Sequence, residues 1–80
     1  HAHFVDAGLR ALFARGLSIN ASALILAHNH PSGDATPSAA DIAVTRDCAR
    51  IGRLLSLPLR DHFVFGDDGR VTSFRSLGLL

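Results

Sequence analysis

Glutamate, lysine and methionine are absent from the 80 residues, and cysteine occurs once. Without methionine, and with His1 at its head, the chain cannot be an unprocessed natural start and reads as a piece of something longer. All its acids are aspartate and all its bases arginine, and the net charge of +1 is too small to announce nucleic acid. A single cysteine, Cys48, excludes an internal disulfide, fits a reducing compartment, and reads as a small apolar side chain. No apolar run approaches the roughly 20 residues that span a bilayer, and no signal-peptide pattern is present. The expected location is the cytoplasm, with no membrane partner.

What is present is ordinary for a soluble globular chain: 48% hydrophobic and 19% charged residues. Residues 1–80 make one domain, and a chain this short buries only about 60% of the surface its unfolded form exposes. No repeat, linker or low-complexity segment breaks it up.

Apolar Val5, Leu9, Leu12 and Phe13, with Gly8 and Gly16, recur at helical spacing over residues 4–17, with Arg10 and Arg15 off that side. After Ser18-Ile19-Asn20, the unbroken apolar run of residues 23–27 has the length of a strand. Lacking alternation, it is expected to be covered on both faces, as in an α/β sheet. A second helix is expected over residues 38–56, with Val44, Cys48, Ile51 and Leu55 on one stripe and Arg46, Arg50 and Arg53 facing solvent. Pro58 stops it. Residues 59–65 and 70–74 then read as strands around the hairpin turn Gly66-Asp67-Asp68-Gly69. The expected order is helix, strand, helix, strand, strand.

The segment between the first strand and the second helix, AHNHPSGDATPSAAD, carries the chemistry. His28 and His30 stand at i and i+2, so an extended backbone aims both imidazoles to one side. They stand beyond the carboxyl end of a strand, where open α/β sheets bind ligands. A catalytic zinc takes three protein ligands and keeps one position open, so a third donor is required. Asp41, turned toward the packed side of the second helix, is that candidate, since a carboxylate there is costly without a cation. Pro31, Gly33 and Pro37 supply the turn chemistry that returns the helix start to the strand end, with Gly33 letting the backbone pass close to the metal. Ser38 would lie beside the open position, its hydroxyl available to an oxyanion. Ser38-Ala-Ala-Asp41 equally satisfies the capping-box pattern, and the two roles are compatible.

His28-x-His30, seven residues, then Ser38-x-x-Asp41 resembles the JAMM (MPN+) metalloprotease motif. AHNHPSGD with TPSAAD, Thr45-Arg46, LRDHFVFGDDG and SFRSLGLL resemble, within that superfamily, the RadC family over residues 3–80. The resemblance implies a three-layer α/β/α sandwich similar to the cytidine deaminases, present here as a truncated portion lacking its N-terminal strands. It implies Zn2+ held by His28, His30 and Asp41, an activated water as nucleophile, and Ser38 stabilising the scissile carbonyl of a peptide or isopeptide substrate. It also implies a glutamate general base on an upstream strand. This chain has no glutamate, so the expectation is a piece that holds metal but hydrolyses little, at a cost of about 10²–10⁴-fold. Missing strands would leave the first strand with a bare edge, across which a homodimer is expected.

Other residues admit plainer readings. Asp61-His62 could supply a fourth ligand, a carboxylate orienting a ligating imidazole, or a structural hydrogen bond. His1 and His3 read as incidental, Arg75 as surface charge and residues 77–80 as an apolar seal. The competing class is a non-catalytic metal-binding or protein-interaction module, with the DNA-repair association that the RadC name carries. The letters H-N-H do not make an HNH nuclease, whose residues are spread over a ββα unit. Iron is compatible with the ligand types alone, but an aspartate supplied by a helix fits an α/β hydrolase-like site better than the usual oxygenase barrel.

Overall fold

A computed structural model describes residues 2–30, 34–67 and 69–80, with side chains from Gly8 onward. Pro31, Ser32 and Gly33, with the turn role expected of them, lie outside the described residues, as do His1, Asp68 and the side chains of His3 and Val5. The elements are α1 (Ala2–Ser18), β1 (Leu24–Asn29), α2 (Ala39–Leu54), β2 (Leu59–Phe65) and β3 (Val71–Ser73), in the expected order. The sheet runs β1-β2-β3. β1 and β2 are parallel, joined through α2 as parallel neighbours require, and β3 returns antiparallel through the hairpin.

Both helices end in the same way. At the end of α1, Asn20 takes φ 55°, and the N–H groups of Ala21 and Asn20 bond the carbonyls of Gly16 and Leu17. At the end of α2, Ser56 takes φ 56°, and Leu57 and Ser56 bond Gly52 and Arg53. Each is a Schellman closure that satisfies carbonyls the helix leaves open. The α2 closure drops Leu57, 1% exposed, into the core against Gly16 and Gly52. Leu9 and Phe13 of α1 meet Leu24, Cys48, Leu57 and Leu59 there.

Three expectations are corrected. β1 is not covered on both faces: Leu24 is buried, Ile25 is 60% exposed, and burial alternates onward. The flanking α1 and α2 both lie toward Leu26, His28 and His62, where Leu9, Leu12 and Val44 wall a cavity ending on His28, Asp41 and His62. The described residues thus form two layers, one of helices and one of sheet. Along α2 the buried line is Thr45, Cys48 and Gly52, while Leu55 is 41% exposed, because the helix closes at Leu55 before its side chain reaches the core. In the tail, Leu77 is exposed, while Leu79 is half-buried and Leu80 packs against the core. The arginines Arg46, Arg50 and Arg53 face solvent as expected.

Candidate metal centre

The site forms where β1 ends and α2 begins. His28 is within β1, and His30, one residue past its end, is still tied to the ladder by its N–H to the Phe65 carbonyl at 2.9 Å. The strand period therefore holds through both histidines and turns them to one side. Asp41 is the third residue of α2, and its carboxylate, 12% exposed, points back at the strand end. The Nε2 atoms of His28 and His30 stand 3.0 Å from Asp41 Oδ1 and Oδ2 respectively. One ligand atom from each residue falls within 4.8 Å of the others. Two ligands about 2.0–2.1 Å from a tetrahedral zinc stand roughly 3.3 Å apart, so each His–Asp contact would open by a few tenths of an ångström to admit a cation.

The donor chemistry also fits. The Nδ1 of His30 lies 2.8 Å from the Asp34 carbonyl, which can only accept, so Nδ1 carries the proton. In the neutral ring, Nε2 then presents a lone pair to Asp41 Oδ2. Lone pair against carboxylate at 3.0 Å is repulsive unless a cation, or a second proton on the ring, sits between them. Asp34 is held in place by its own turn, its Oδ1 accepting the Thr36 N–H at 2.9 Å, and hydrogen bonding from the Thr36 side chain, then from this N–H, lowers its pKa below the usual carboxylate value.

Ser38 is the N-cap of α2, with its Oγ accepting the Asp41 N–H at 3.0 Å, while Asp41 Oδ2 accepts the Ser38 N–H at 2.7 Å. This is the reciprocal capping box. The cap uses a lone pair of Oγ, and the Ser38 side chain also hydrogen-bonds the Asp41 carboxylate. Burial raises the Asp41 pKa, but the Ser38 bonds and the two imidazoles outweigh it, and the net shift is downward. The carboxylate is therefore charged at neutral pH, as a ligand must be.

Behind His28 stands a residue whose role the sequence left undecided. His62, 2% exposed, places Nε2 at 2.9 Å from His28 Nδ1 and Nδ1 at 2.6 Å from Thr45 Oγ1, and stacks on Phe74 at 4.4 Å between ring centroids. Burial, then the neighbouring His28, pushes its pKa down, so the ring is neutral at neutral pH. Its neighbour Asp61 plays a structural part, since its carboxylate accepts from the N–H groups of His62 and Arg75 and from the Ser73 hydroxyl, tying β2 to the end of β3. Arg75 is more than surface charge, since its Nε also donates to the Arg60 carbonyl at 2.7 Å. Thr45, 1% exposed, stood in the sequence only within the family resemblance and as a polar residue on the buried side of a helix, with no role assigned to it.

Comparison with known proteins agrees with this geometry. The RadC-like JAB domain family matches residues 3–79. A UPF0758 protein of Rhodobacter capsulatus is 55% identical over 71 residues, covering 89% of this chain and 33% of that protein. A UPF0758 protein of Acidithiobacillus ferrooxidans is 51% identical over 70 residues, covering 88% and 31%, and one of Porphyromonas gingivalis 46% over 75, covering 94% and 33%. The chain spans about a third of the length of these curated relatives. No helix among the described residues is long and apolar enough to cross a membrane. With the family's match running from residue 3 to residue 79 and the His28, His30 and Asp41 cluster standing within it, the chain belongs to the RadC-like JAB domain family.

Proposed function

We propose that the chain is the metal-bearing part of a zinc-dependent peptidase-type hydrolase, with His28, His30 and Asp41 as ligands and Ser38 as the donor at the scissile carbonyl. The observation that carries this reading is the convergence of the His28 and His30 Nε2 atoms on one Asp41 carboxylate at 3.0 Å each, with His30 Nδ1 taken up by the Asp34 carbonyl. Zinc would supply Lewis acidity, polarising a carbonyl and making water a nucleophile at neutral pH. The residues of the chain do the rest. Asp41 fixes the start of α2 and both imidazoles at once, and the Ser38 hydroxyl would turn from the Asp41 carboxylate to donate to negative charge developing on a peptide or isopeptide oxygen. No glutamate stands in these residues to take the proton from water. A base from outside them completes the reaction, and the 80-residue piece is expected to turn over about 10²–10⁴-fold more slowly than a chain with it.

Elemental analysis of protein purified without chelator or affinity metal tests the first half of the proposal. One zinc per chain is expected, retained in His3→Ala and lost in His28→Ala and Asp41→Ala. Absence of zinc from folded wild-type protein overturns it. A second reading is a non-catalytic metal-binding or interaction module, which the absence of a glutamate base upstream of these residues would favour. Zinc at full stoichiometry in the longer parent chain, with no cleavage of peptide or isopeptide substrates, would select that reading.

A further inference from the structure

His62 and Thr45 lie outside the ligand set, yet both are buried and both are in hydrogen-bonding contact leading to His28. Four polar groups form one line: the Asp41 carbonyl, Thr45 Oγ1 at 2.7 Å from it, His62 Nδ1 at 2.6 Å from Thr45, and His28 Nδ1 at 2.9 Å from His62 Nε2. Protons can order along such a line in only two directions. The carbonyl end decides between them. It has no proton to give, and an oxygen–oxygen contact of 2.7 Å needs one, so the single hydroxyl proton of Thr45 points at Asp41. Thr45 Oγ1 must then accept from His62 Nδ1–H. The neutral His62 ring is left with an accepting Nε2, which takes the Nδ1–H of His28.

We propose that Thr45 and His62 are positioning residues that lock His28 as its Nδ1–H tautomer, so that Nε2 always meets the cation site as a lone pair. The reverse order would protonate His28 Nε2, satisfy Asp41 Oδ1 with that proton, and close the site to a cation. Thr45 blocks that self-satisfied state through the backbone of the same residue whose carboxylate is the third ligand. His30 receives the equivalent lock from the Asp34 carbonyl, so the two imidazoles are held by unrelated means to the same end. The lock's purpose rests on the metal-centre reading; the tautomer itself does not.

The test is 15N-histidine NMR of the metal-free protein at pH 8, beside zinc titration, in wild type, Thr45→Val, Thr45→Ser and His62→Phe. Wild-type His28 is expected to carry its proton on Nδ1. Thr45→Val keeps the shape but removes the acceptor, so the line should reverse and move the His28 proton to Nε2; Thr45→Ser should restore the wild-type pattern. Zinc affinity should fall about 10–100-fold in Thr45→Val and His62→Phe and recover in Thr45→Ser. His28 protonated on Nε2 in the wild type, or unchanged tautomer and affinity in folded Thr45→Val, overturns the proposal. Where His62→Phe fails to fold, the Thr45 pair decides alone. A wild type that shows the Nδ1–H tautomer but binds no zinc keeps the lock and removes the metal reading; zinc bound equally by all variants removes the lock and keeps the metal.

Discussion

The Oδ2 atom of Asp41 accepts the Ser38 N–H at 2.7 Å and faces His30 Nε2 at 3.0 Å, so one carboxylate caps a helix and closes a candidate metal site. The two roles separate by mutation. Ser38→Ala removes the side-chain half of the capping box and should cost about 0.5–2 kcal/mol in urea unfolding while leaving zinc stoichiometry unchanged. Asp41→Ala should cost similarly in metal-free protein and also abolish zinc binding. Loss of zinc in Ser38→Ala would show that the cap, rather than the carboxylate itself, builds the site.

The closure of α2 predicts two changes of opposite sign. Ser56 occupies the left-handed region at φ 56°, where glycine has no Cβ to strain, so Ser56→Gly should be neutral to stabilising by up to ~1 kcal/mol. A Cβ on Gly52 would run into the backbone carbonyl of Leu57, which cannot swing away as a side chain could. Gly52→Ala should destabilise by about 1–3 kcal/mol or more, and by more than Gly16→Ala, whose clash falls on the flexible Leu57 and Leu24 side chains. Thermal and urea unfolding of the three variants checks the ranking.

Much of this site was legible from spacing alone. Strand alternation brings His28 and His30 to one side, and helical periodicity turns Asp41 inward; both are local rules, and both hold. The hairpin turn was likewise local, with Gly69 at φ 82° and the Gly66 N–H bonded to the Arg70 carbonyl. What failed depended on neighbours far along the chain. The run Ala-Leu-Ile-Leu-Ala reads alike whether one face or both are covered, and here both helices sit on one side. The contact between His62 and His28 follows from the parallel register that sets Leu26 opposite His62 and His28 opposite Val64. That with Thr45 follows from where α2 crosses the sheet. Neither register nor crossing is written in a local pattern, so the lock behind the ligands was invisible until the elements were assembled.

Acid stability should report on Asp61. Burial raises its pKa, but the bonds from Ser73, Arg75 and His62 prevail and the folded value lies below the unfolded one. The charged carboxylate therefore stabilises the fold above the ordinary carboxylate range, and that contribution disappears as pH falls through the folded value. Melting temperature measured from pH 6 down to pH 2 should fall steeply in wild type below about pH 4, the unfolded aspartate value. Asp61→Asn should start lower at pH 6 and lose less over the same range. Parallel curves for the two proteins would mean that the Asp61 bonds contribute no net charge-dependent stability.

Self-association is the outcome expected of the sheet face turned away from the helices. Pleat and register put Ile25, Ala27, Phe63, Phe65 and Val71 on that face, with Ile25 60%, Val71 52% and Phe65 37% exposed. β1 pairs among the described residues with β2 alone, which leaves its other edge without a strand partner. An apolar face and an open edge side by side favour a second copy, and burying one such isoleucine is worth about 1.5–3 kcal/mol. Sedimentation velocity should show dimer growing with concentration, weakened at least tenfold by Ile25→Lys. Leu17→Lys, equally exposed but on α1, should leave the association intact. A wild type that stays monomeric at the highest attainable concentration, or a Leu17→Lys effect as large as that of Ile25→Lys, would rule out this face as the contact.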